Sequence, residues 1–160
     1  MSTERIIVRR ARETRASPDT VFALLSDSST YPSWSSIGGY KMERAGSPDP
    51  HGVGEIRVFF SYGIFKVREE IVEVVPNRFM AYTLLSGLPM RNYRGETTLE
   101  LLPGGGTRIT WQSSFNEVPG TGWFMQLFMA WVLATLTASL VQGAEAKMSR
   151  VDATTQRAAS

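Results

Sequence analysis

Few residues in this 160-residue chain have the type and spacing to do chemistry, and the first question is what that chemistry would be. The single histidine, His51, stands in the loop sequence Ser47-Pro-Asp-Pro-His-Gly. No partner motif surrounds it, so it reads as an exposed loop residue rather than a base or metal ligand. There is no cysteine, which excludes disulfides, thiolate nucleophiles, iron–sulfur clusters and cysteine-type zinc sites. Glu69, Glu70 and Glu73 are the available carboxylate cluster, yet neighbours on a strand point to opposite faces. Only Glu69 and Glu73 share a face, and a solvated strand surface accounts for them, so no metal is expected. The glycines at 104–106 lie between strands, whereas a phosphate loop must open a helix. Gly120-Thr-Gly122 does precede a helix but lacks the lysine and the full glycine spacing; Thr121 reads there as a helix cap. No catalytic residue and no cofactor are assigned.

What remains is a set of polar groups suited to an apolar pocket. Tyr82, Tyr93, Arg68, Glu70 and Gln112 are the types that could polarise a ketone or orient a ligand. Arg68 and Glu70 share a strand face with Val72 and Val74, which makes them candidate anchors pointing inward. The walls would come from Trp34, Phe60, Tyr93 and Trp111, followed by Phe115, Phe124, Phe128 and Trp131. Each alone is explained by packing. Together, aromatic residues at 11% of the chain, gathered on one sheet face and one helix, suit a flat or long apolar ligand.

The elements that must position these groups are legible. Residues 5–15 read as a strand crowded with arginine, and Ser17-Pro-Asp19 starts a helix carrying Val21, Phe22, Leu24 and Leu25. Tyr31-Pro-Ser-Trp34 allows only a short second helix. Strands are expected at 40–45, 54–62, 64–75, 79–86, 92–102 and 106–116, with turns at Tyr62-Gly63, Pro76-Asn77 and 103–106. Alternation puts Tyr93, Gly95, Thr97, Leu99 and Leu101 on one face, and Ile109, Trp111 and Phe115 on one face of the next strand. Residues 123–141 then carry no charge. That is about the length of a bilayer span, but no Lys/Arg cluster flanks it, and lifting it into lipid would uncover the sheet. It is expected instead to lid the sheet through Phe124, Phe128, Trp131 and Thr135. Met125, Met129, Val132 and Leu136 would then face outward, open to a homodimer partner or to peripheral membrane contact. Residues 151–160 read as a frayed polar tail.

Composition bounds the rest. At 42% apolar and 20% charged the chain is globular, of a length suited to one domain over residues 1–150. Net charge is +2, and Glu4 and Glu13 interrupt the arginine run, so an aggregation-resistant edge strand is expected and no nucleic-acid partner. Without an apolar signal core near the start, a cytoplasmic location is expected.

Ala16-Ser-Pro-Asp-Thr-Val-Phe22, leading through Asp27 to Tyr31-Pro-Ser-Trp34, resembles the START/Bet v 1-like (SRPBCC) superfamily, in particular its polyketide cyclase/dehydrase and lipid-transport branch. Glu70-Ile-Val-Glu-Val-Val-Pro-Asn-Arg-Phe79, Tyr93-Arg-Gly-Glu-Thr-Thr-Leu99 and Gly105-Gly-Thr-Arg-Ile-Thr-Trp111 agree with it. The resemblance implies an α+β helix-grip fold, a seven-stranded antiparallel sheet wrapped around a long C-terminal helix with two short helices after the first strand. It also implies a cavity for a lipid, polyketide, quinone or similar small hydrophobic ligand. The residues matching shared positions, Trp34 and Tyr93, serve fold or cavity wall there. The leading expectation is a binder or carrier. An aromatase/cyclase-type enzyme using acid–base groups and an interaction protein using its apolar helix are the alternatives.

Overall fold

A computed structural model describes residues 4–61 and 63–160; Met1-Ser-Thr3 and Tyr62, the first residue of the expected Tyr62-Gly63 turn, lie outside the described residues. Seven strands run β1 (Arg5–Thr14), β2 (Gly39–Arg44), β3 (Ile56–Ser61), β4 (Phe65–Val75), β5 (Phe79–Ser86), β6 (Met90–Leu101) and β7 (Thr107–Glu117). They form one antiparallel sheet in the order β1-β7-β6-β5-β4-β3-β2, a meander whose first strand returns to lie beside the last. Between β1 and β2 come α1 (Pro18–Ser26), a single 3₁₀ turn (Ser28–Thr30) and the short α2 (Tyr31–Trp34). After β7 comes α3 (Gly122–Ala158), which packs along the concave face. This is the α+β helix-grip architecture.

Local chemistry explains most boundaries. Pro18 opens α1 with Asp19 in its first turn, where the Ser17 hydroxyl holds the Asp19 carboxyl below its ordinary value. Ser17 itself makes no backbone cap, its hydroxyl meeting Thr20 Oγ1 at 3.0 Å. Thr121 likewise does not cap α3, because its hydroxyl donates to the Val118 carbonyl at 2.7 Å. Asn77 turns β4 into β5 with φ of 63°, a conformation asparagine tolerates. The arginine-rich β1 is an edge strand, as its charges suggested, with Arg9 on Gln112 and Glu13 on Arg108.

The core lies between the concave sheet face and α3. Trp111, Phe115, Ile109 and Leu99 meet Leu133, Met129, Met125 and Leu140 there. The helix is therefore rotated from the expectation, with Met125 and Met129 turned in and Phe124 turned out. The stripe Met125, Met129, Leu133, Thr137, Leu140 and Ala144 is buried against the sheet. Phe124 and Trp131 are more than half exposed. A 125–129–133–137–140–144 stripe follows helical spacing with aliphatic, thioether and small side chains that a concave surface accepts. The bulky aromatics belong to its flank. α3 runs on to Ala158, and its side chains from Val151 onward are exposed. No glycine or proline follows Gly143 to break it.

Candidate functional site

One β-bulge decides which side chains enter the interior of β4. Register shifts between Ile71 and Glu73, so Val67, Glu69, Ile71 and Val74 turn toward the core. Glu73 turns out and meets Arg94 at 2.8 Å. Arg68 and Glu70, expected to point inward, also lie on the outer face. Arg68 makes a two-pronged pair with Glu43 at 2.8 Å, and Glu70 takes Arg44 at 2.7 Å. The placement of both residues is thereby corrected: they are outer-face surface ion pairs. A second bulge, between Arg91 and Arg94 of β6, does the reverse service. With Asn92 at φ of 49°, it lets both Met90 and Tyr93 face the interior.

Between sheet and helix lies a cavity of about 180 Å³. The sheet supplies Phe59, Val67, Glu69, Tyr82, Leu84 and Tyr93. The helix supplies Phe128, Met129, Trp131, Val132 and Leu136; Phe65 opens β4, and Ile37 and Leu88 stand at connecting segments. An engineered apolar cavity of about 150 Å³ holds benzene, so this one has room for a molecule of a single ring or a little more. Its walls are mostly apolar.

The polar side is unusual for such a place. Arg57 is 1% exposed, and its guanidinium stands 4.8 to 5.2 Å from the ring centres of Tyr82, Phe59 and Tyr31. Nε and Nη2 both contact Glu69 Oε2 at 2.9 Å, and Nη1 reaches Ser28 Oγ at 3.3 Å and Tyr31 Oη at 3.4 Å. Burial works against the arginine's charge. The surrounding Tyr31, Glu69, Tyr82 and Glu55 outweigh it, so its proton is held more firmly than usual. Burial pushes the Glu69 carboxyl up from its ordinary value, with Arg57 opposing the shift.

Two tyrosines complete this wall. Trp111 Nε1 donates to Tyr82 Oη at 3.0 Å, the Tyr82 and Tyr93 rings lie 6.0 Å apart between centres, and Tyr93 Oη meets Ser113 Oγ at 2.7 Å. Burial raises both phenols, Tyr93 to about 12, so they are neutral donors and acceptors at ordinary pH. Tyr82 lies over Gly95, its cross-strand partner, where any Cβ would run into the ring.

Behind Arg57 the network continues outward. Ser28 Oγ donates to Glu55 Oε2 at 3.0 Å, and Tyr40 Oη donates to Glu55 Oε1 at 2.8 Å. His51 is part-buried rather than a free loop residue: Nδ1 lies 3.1 Å from Glu55 and Nε2 lies 3.2 Å from Asp27.

Of the aromatic residues expected as walls, Tyr82, Tyr93, Phe128 and Trp131 line the cavity. Trp111 and Phe115 are buried in the neighbouring core. Trp34 packs on Tyr31 with ring centres 4.6 Å apart and covers Gly143 of α3, away from the lining. Phe60 is on the outer sheet face against Gly39, and Phe124 is exposed beside Phe128. Glu69, which lines the cavity, and Arg57, which pairs with it from behind the lining, were not singled out. The signal for Arg57 was its parity with Phe59 on β3.

A sheet gripping its last helix over an internal cavity defines the START/Bet v 1-like class. The chain belongs to the family described as polyketide cyclase / dehydrase and lipid transport, whose model matches residues 5–148. Solved structures agree on the fold. A START superfamily protein from Mycobacterium smegmatis superposes with a TM-score of 0.74 at 17% identity, covering 87% of this chain and 97% of that one. Norcoclaurine synthase from Thalictrum flavum, in complex with a transition-state analogue, gives 0.73 at 17% identity over 92% and 99%. The protein XoxI from Bacillus cereus gives 0.70 at 18% identity over 85% and 93%. No curated protein matches the sequence.

Proposed function

We propose that the protein binds and carries a small hydrophobic molecule in the cavity between the sheet and α3. The observation that carries this reading is a cavity of about 180 Å³ with apolar walls and a confined polar side. Pockets of this make-up bury most of an apolar ligand and orient it through a few polar groups. The modest volume favours a compact ring-sized ligand over a full lipid chain. The cyclase alternative loses two of its expected acid–base groups with Arg68 and Glu70 outside, and would have to work through Glu69 and the two tyrosines. Native mass spectrometry of the purified protein, with solvent extraction, tests the reading. A bound apolar molecule is expected; an empty protein that also takes up no ring-sized apolar probe sinks it.

A second reading is favoured by one feature of α3. Trp123 is 71% exposed and Leu127 64%, with Phe124 and Trp131 close behind. Large apolar side chains gathered on one helical flank call for a covering surface, either a second copy of the chain or a lipid interface. Sedimentation with and without phosphatidylcholine vesicles separates the two. A monomer indifferent to vesicles counts against both.

A further inference from the structure

The cavity lining includes one carboxylate, Glu69, whose counter-charge Arg57 is enclosed behind it, and the geometry of the pair is uneven. Both contacts from Arg57 fall on Oε2 of Glu69. No donor among the described residues reaches Oε1, and Glu69, only 13% exposed, lies on the cavity lining. The tyrosine hydroxyls beside it are already engaged, Tyr82 with Trp111 and Tyr93 with Ser113. The pair is not explained by stability alone, because replacing a buried ion pair with apolar side chains is often neutral or stabilising.

We propose that Glu69 Oε1 is the anchoring acceptor of the cavity and that its ligand is a compact, neutral apolar molecule carrying one hydroxyl donor, a phenol or small alcohol. This rests on the reading of the cavity as a ligand site. A neutral donor fits better than a cation for a physical reason. Arg57 already neutralises Glu69, so an ammonium would bring an uncompensated charge into a low-dielectric space. A hydroxyl brings none and donates a charge-assisted hydrogen bond to the carboxylate, stronger than one to a neutral acceptor. The bond also compensates the hydroxyl for the water it leaves.

Two probes of nearly equal shape test this: p-cresol, which has the hydroxyl, and p-xylene, which has a methyl in its place. Affinities measured by calorimetry for the intact chain are expected to favour p-cresol by about tenfold, the order of a hydrogen bond to a charged group. In Glu69→Gln the preference is expected to fall to within about threefold, with p-xylene binding kept as proof that the cavity is intact. Leaving Arg57 without its carboxylate partner risks the fold, so the double variant R57M/E69L provides a second, apolar lining. There the order is expected to invert, with p-xylene the tighter. Equal binding of both probes to the unaltered protein overturns the anchor while leaving the cavity reading intact. Preserved tenfold preference in both variants overturns it as well. Binding of neither probe to the unaltered protein removes the cavity reading and this inference with it.

Discussion

Arg57 is the residue whose loss the structure tolerates least. Its guanidinium is fully enclosed by three aromatic rings, Ser28 and Glu69. Arg57→Met alone leaves Glu69 without a counter-charge, and a destabilisation of about 3–5 kcal/mol is expected from urea unfolding. In R57M/E69L the cost should largely vanish, and that contrast separates the pair from simple packing. The Glu69 carboxyl adds a pH signature. Its value in the folded protein is raised by burial above the ordinary 4.5, so the folded state holds its proton at pH values where the unfolded chain has released it. Stability from this group is therefore greatest below about pH 4.5 and declines as pH rises through the folded value. Subtracting the pH–stability curve of R57M/E69L from that of the unaltered protein should show this downward slope; an upward one contradicts the sign. Glu69 itself was readable only as one of three neighbouring glutamates. Alternation along β4 assigned it the same face as Glu73, and the bulge that separates them leaves no mark in residue types.

At the scale of elements, the strands were legible because turn chemistry and alternation coincide. Pro76-Asn77 and the glycines at 104–106 fall where β4 meets β5 and β6 meets β7. The orientation of α3 was not legible, because residues 123–141 are apolar on nearly every side and leave periodicity nothing to contrast. Stability measurements distinguish its faces. Leu133→Ala, at a fully buried position, is expected to cost about 2–5 kcal/mol. Leu127→Ala, on the exposed flank, should fall within about 0.5 kcal/mol of the unaltered protein. Equal costs would contradict this orientation of α3. A third element-level test is Gly95→Ala on β6. The new methyl displaces the Tyr82 ring and with it the bond from Trp111. A loss of about 1–3 kcal/mol is expected, with a change in tryptophan fluorescence.

The whole molecule is a sheet, a lid helix and the space between them. That architecture followed from the element order, one strand, short helices, six strands and a long helix, which leaves a one-faced sheet with a single possible cover. The cavity did not follow from it, since the same elements could close on a solid core. Whether the space is used is best asked with ¹³C-methyl NMR during titration with p-xylene. The account predicts saturable shifts confined to the methyls of Met90, Met129, Val132 and Leu136, which line the cavity, with Val21 and Leu25 on the buried face of α1 unmoved. Shifts confined to the exposed Leu127 flank, or none at saturation, would contradict it.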